Sequence, residues 1–130
     1  MRLRDLDARF VYSATASGSR LSHKDSVEGA QGVMFQCPEC AKGKEIVVDT
    51  EREVGERARR YVVGAHYIRV FFSNPLGATV APPEADHNPR WEMTGTTLDD
   101  LTLSPSINLD IPGNEAGCRW HGWVKNGDAA

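Results

Sequence analysis

The placement of its thiols constrains this chain most. Cys37, Cys40 and Cys118 are the three cysteines of the 130-residue sequence, and each belongs to a two-residue-spaced pair, Cys37-Pro-Glu-Cys40 or Cys118-Arg-Trp-His121. A tight turn with that spacing points both side chains at one metal ion, and tetrahedral Zn²⁺ takes four thiolate or imidazole ligands. Pro38 presets φ in the first turn, and Gly43 stands where the chain must fold back beneath the metal. The pattern predicts a zinc held by Cys37, Cys40, Cys118 and His121, in zinc-ribbon-type knuckles. His66, flanked by strand residues, is the alternative imidazole. Four protein ligands close the shell and leave no position for water, so the predicted role is structural. A clip joining such distant segments restricts the unfolded chain by roughly 4–5 kcal/mol for a loop of about 80 residues.

Bulk properties narrow the rest. A chain of 14.3 kDa that is 40% hydrophobic and 25% charged reads as one globular domain over residues 1–130. A formal charge of −3 and a pI near 5.8 give no basic field to draw it to nucleic acid or anionic lipid. The opening stretch MRLRDLDARFVYSA carries charges throughout, without the apolar centre of a signal peptide, and no run approaches a membrane span. An odd cysteine number without an export signal argues against a disulfide scaffold. A cytoplasmic protein is expected.

Period-two patterning dominates, so the predicted fold is mostly β: one small zinc-stabilised, sandwich-like domain with long loops. ARFVYSA, GVMFQ, KEIVVDT, AHYIRVFFS and HGWVKNG read as strands. GVMFQ leads into Cys37 and KEIVVDT leads away from Cys40, which predicts a hairpin with the knuckle at its tip. In LTLSPSINL, Leu101, Leu103, Ile107 and Leu109 share a face with Pro105, while Thr102, Ser104, Ser106 and Asn108 share the other. Pro105 lacks a ladder donor, so this strand should be an edge or be bulged there. TEREVGERARR is the single helix candidate, with Thr50 as N-cap and Glu53/Arg57 and Glu56/Arg60 at i,i+4.

The early cysteine knuckle, Trp91, TLSPSI at 102–107 and CRWHGWVKNG together resemble a family of small zinc proteins from bacteriophages and mobile elements, often mislabelled as ammonia monooxygenases. The likeness runs over roughly residues 33–127. It implies a phage or prophage protein, located in the bacterial host's cytoplasm or associated with the virion. A monooxygenase role gains no support, because no copper- or iron-type set of histidines and carboxylates is visible.

Other residues bear on function. Trp91, Trp120 and Trp123 are costly to leave exposed, and all three are expected to pack as the hydrophobic shell of the metal, Trp120 and Trp123 lying close to His121. Trp91, Asp99, Asp100, Thr102, Ser104 and Ser106 form a polar surface suited to a protein partner. A serine nucleophile at Ser104 or Ser106 needs a base, and no histidine lies near in sequence. His23 and His87 sit in polar loops. The sequence therefore favours a protein-binding role, with a zinc-dependent hydrolase or a nucleic-acid-binding zinc ribbon as the alternatives.

Overall fold

The structure, a computed structural model, describes residues 1–15, 18–21, 24–55, 57–73, 90–108 and 120–130. The expected mostly-β domain is what forms. A short 3-10 turn at Leu3–Asp5 precedes β1 (Arg9–Thr15), β2 (Gly18–Leu21) and β3 (Gly32–Gln36), and a single helical turn, α1 (Pro38–Ala41), follows. Then come β4 (Ile46–Val54), β5 (Arg57–Val62), β6 (Tyr67–Phe71), β7 (Glu92–Thr94), β8 (Thr102–Asn108), β9 (His121–Lys125) and β10 (Asp128–Ala129).

Two four-stranded antiparallel sheets, ordered β2-β1-β3-β6 and β10-β9-β8-β7, bury their inner faces in one core. Phe10, Phe35 and Val70 enter it from the first sheet, and Leu103, Ile107 and Val124 from the second. A parallel bridge between Phe72 and Trp91 joins the two sheets. The N-terminal residues extend the second sheet: Arg2 bridges Asp128, and the Leu3 amide donates to the Gly127 carbonyl at 2.9 Å.

Three local expectations change. TEREVGERARR is not helical but forms the β4–β5 hairpin, turning at Gly55. Its apolar stripe is too thin to dock a helix, and its arginines find better partners across the fold. Arg59 donates two bonds of 3.1 Å to the Asp7 carboxylate, and Arg60 Nε donates to Asp5 at 2.6 Å. Asp7 is buried and also accepts from the Tyr67 hydroxyl and from Arg9 at 3.3 Å. Such a buried carboxylate is tolerable because it is paired on every side.

The knuckle is not a hairpin tip. β3 pairs with β1 and β6, β4 pairs with β5, and Cys37–Cys40 lies in the turn between the sheet and the separate hairpin. Nor is β8 an edge strand, since it runs between β7 and β9. It meets the demand of Pro105 with a bulge. Leu103 pairs with Val124 and Ile107 with Gly122, so four residue steps along β8 face two along β9. Ser104, Pro105 and Ser106 arch out of that ladder, the Ser104–Pro105 peptide being cis. Pro105 is consequently exposed and does not join Leu103 and Ile107 in the core.

At the far end of β9, Asn126 and Gly127 have φ of 48° and 75°. Two successive positive φ values are what a two-residue hairpin turn of matching twist requires, and β10 follows directly.

Candidate functional site

Among the described residues, two groups of side chains have chemistry to offer. The first is the thiol knuckle. Cys37 follows β3 directly and is fully buried, Cys40 is the third residue of α1, and His66 precedes β6. Their donor atoms all lie within 4.8 Å of one another, close enough to hold a metal ion, and Cys40 Sγ stands 3.2 Å from His66 Nδ1. Ligands 2.0–2.3 Å from a tetrahedral zinc stand about 3.5 Å apart, so two sulfurs and a nitrogen at this spacing suit such an ion.

Backbone and amide bonds set the cluster. The Cys37 amide donates to the His66 carbonyl at 2.8 Å. Gln36, itself buried, donates from Nε2 to Val62 O at 2.7 Å and Ala65 O at 3.3 Å, and its Oε1 accepts from the Val62 amide at 2.8 Å. One buried amide side chain thus fixes the turn that carries His66 beside the thiols. Reading along the sequence missed Gln36, whose only signal was a polar residue at the inward end of an apolar strand.

His121 is elsewhere. Strand alternation puts Trp120 and Gly122 inward and His121 outward, on the face opposite the core. Trp120 is buried and packs edge-on against Phe35 at 6.0 Å, whereas Trp123 lies outside on the same face as His121. Gly122 is required between them, because a Cβ there would fall 2.7 Å from the Trp120 ring and 2.4 Å from the Ala130 carbonyl. The imidazole in the knuckle cluster is therefore His66, the alternative, and not His121. Cys118 lies outside the described residues, as do His23 and His87.

The second group forms where His121 does point. β8 and β9 are antiparallel neighbours, with Asn108 opposite His121. The bulge in β8 turns Ser106 toward β9, and Ser106 Oγ comes 3.1 Å from His121 Nε2. Bulges commonly re-aim a side chain in this way beside active sites. The Trp91 indole N–H donates to the Ser106 carbonyl at 3.3 Å and holds the backbone of the bulge. A serine hydroxyl within hydrogen-bond reach of an imidazole at the solvent face is the arrangement of a serine nucleophile and its base. No histidine is near Ser106 in sequence; sheet pairing supplies one.

Asp99, Asp100 and Thr102 have partners inside the chain. Asp100 Oδ1 accepts from the Thr96 amide at 3.0 Å and the Thr97 amide at 2.8 Å, and these backbone bonds hold its carboxyl below the usual range. The hydrogen bond from Arg4 does the same for Asp99, against an opposing effect of burial. Thr102 Oγ1 accepts from the Asn126 amide at 3.0 Å, bracing the β9–β10 turn. Ser104 stays exposed.

Residues 74–130 match the family described as the bacterial ubiquitination-like system serine protease, BubE. This stretch is under half of the chain and contains Trp91, Ser106 and His121. No curated protein matches the chain, and no solved structure does. Among the described residues, no helix is long and apolar enough to cross a membrane.

Proposed function

We propose that this chain is a serine hydrolase that cleaves a peptide or isopeptide bond in a protein of a bacterial ubiquitination-like system. The 3.1 Å approach of Ser106 Oγ to His121 Nε2 carries the reading. The serine protease family matched over the same residues supports it. In the Nδ1-protonated tautomer, His121 Nε2 accepts the Ser106 hydroxyl proton as Oγ bonds to the substrate carbonyl carbon. The C–N bond then breaks, and His121 returns the proton to the departing amine. Water attacks the acyl-serine, giving a proton to His121, which passes it to Oγ as the Oγ–C bond breaks, releasing the acid and restoring the Ser106 hydroxyl and neutral His121.

In the same proposal the knuckle binds a structural Zn²⁺ through Cys37, Cys40 and His66, with Cys118 as the fourth ligand. Thiolate and imidazole donors favour zinc, and Trp120 packs on Phe35, two residues before Cys37. That contact joins Trp120, two positions after Cys118 in the sequence, to the strand that leads into Cys37. Zinc there supplies a clip between the sheets and takes no part in the reaction.

Turnover of fluorogenic peptidyl amides tests the assignment. Ser106→Ala and His121→Ala should each lower kcat/KM by about 10³-fold or more while leaving the fold intact. Full activity in both variants would overturn it. A second reading, a zinc-held phage or prophage protein that captures a protein partner without chemistry, draws on the exposed Trp123. It predicts no turnover by the wild type and unchanged partner capture by the Ser106→Ala variant.

A further inference from the structure

The outer face of β9 presents more than His121. Trp123 and Lys125 follow it at alternate positions on the same side. Trp123 is 43% exposed although tryptophan is among the most costly side chains to leave in water. Its backbone is fixed, with its amide donating to Ala130 at 2.8 Å and its carbonyl accepting from the Ala130 amide at 2.9 Å. The ring is therefore carried on a rigid strand. The Lys125 ammonium lies 4.8 Å from the ring centroid, which holds a cation beside the apolar surface.

Register places this pair against the bulge. Val124 faces Leu103 and Gly122 faces Ile107, so Trp123 stands across from Ser104–Ser106, with His121 on one side and Lys125 on the other. Alternate residues of a strand are spaced about 6.8 Å apart, the same interval as alternate side chains of an extended polypeptide. A chain lying along β9 with its scissile carbonyl at Ser106 Oγ would bring a side chain near the cleaved bond onto the indole. About two residues further on it would meet Lys125.

We infer that Trp123 and Lys125 form the substrate-selecting surface of the Ser106–His121 site, for an extended polypeptide with an apolar side chain next to the cleaved bond and an acidic one about two residues away. This inference rests on the serine hydrolase reading. Indole area supplies the apolar recognition, and the cation sets the sign of the charge that follows. Trp123 and Lys125 act on binding and take no part in proton transfer.

Peptidyl p-nitrophenyl esters test it, in a series varying only the acyl residue (Leu or Gly) and the residue two positions before it (Glu or Lys). Wild type should prefer Leu over Gly by about tenfold in kcat/KM, mostly through KM. Trp123→Ala should bring that ratio close to one, and Trp123→Phe should keep much of it. Lys125→Glu should reverse the preference between Glu and Lys. Thermal melting of each variant separates a lost subsite from a lost fold. A Leu/Gly ratio unchanged in folded Trp123→Ala, with Ser106→Ala inactive, overturns the subsite and leaves the dyad standing. Hydrolysis that persists in Ser106→Ala overturns both.

Discussion

Two histidines with similar strand surroundings have opposite fates, and burial decides between them. His66 is bound beside a fully buried thiol by the Cys37 amide and the Gln36 side chain. His121 faces out and meets a serine hydroxyl. Substitution should separate them. If the proposed metal is bound at the knuckle, His66→Ala is expected to lower metal content and cost about 10 °C or more in Tm, because such a metal would stabilise only the folded chain. His121→Ala should keep its metal and melting point. Metal analysis and calorimetry on the two purified variants check this, and metal loss from the His121 variant would count against the assignment.

Asp7 offers a second test at the same scale. Burial, then the hydrogen bond to Asp7, raises the Tyr67 hydroxyl above its ordinary pKa of 10.0. A group with a raised folded pKa contributes stability that is complete below its unfolded value and is lost as pH climbs through the folded one. Stability should thus fall above about pH 10, and Tyr67→Phe should flatten that decline in urea titrations taken across the alkaline range. An equally steep decline in the variant would assign it to other groups.

Among elements, the β9–β10 turn shows how tightly one glycine can be specified. A Cβ on Gly127 would fall 2.4 Å from the Leu98 carbonyl oxygen and 2.6 Å from that of Asp99, at a φ of 75°. Gly43 has nearly the same φ, 74°, but open space around it. Gly127→Ala should therefore destabilise by about 3 kcal/mol, against about 1 kcal/mol for Gly43→Ala. Similar costs measured by denaturant unfolding would show that the close contacts carry no weight.

Legibility in the sequence also divides by element. Strand identity in TLSPSIN and HGWVKNG follows from alternation, and Pro105 announced a bulge or an edge. What alternation cannot contain is which strands become neighbours, and the Ser106–His121 pair exists only because β8 and β9 do. Spacing brought out Cys37 and Cys40 as a pair able to hold a metal ion, which matches their place in the cluster with His66, but it grouped His121 with them because Cys-x-x-His looks like a knuckle. In β9 the same spacing serves a strand with Trp120 inside and His121 outside. The β4–β5 hairpin misled for a different reason: its i,i+4 charge pairs suit a helix, yet its arginines pair with Asp5, Asp7 and Asp25, distant in sequence.

On the scale of the molecule, the two groups sit on different parts of one scaffold, and the core connects them. The knuckle follows β3 of the first sheet, the Ser106–His121 pair lies on the outer face of the second, and Phe35 against Trp120 spans the space between. The proposed function would assign stability to the first and reaction to the second. Labelling with an alkyl fluorophosphonate tests that division most directly, since an activated serine oxygen displaces fluoride to form a stable phosphonate ester. Peptide mapping by mass spectrometry should find the adduct on Ser106 in the metal-loaded wild type and find it lost in His121→Ala with metal retained. An adduct absent from the wild type, located on another residue, or undiminished in the His121 variant would contradict the assignment.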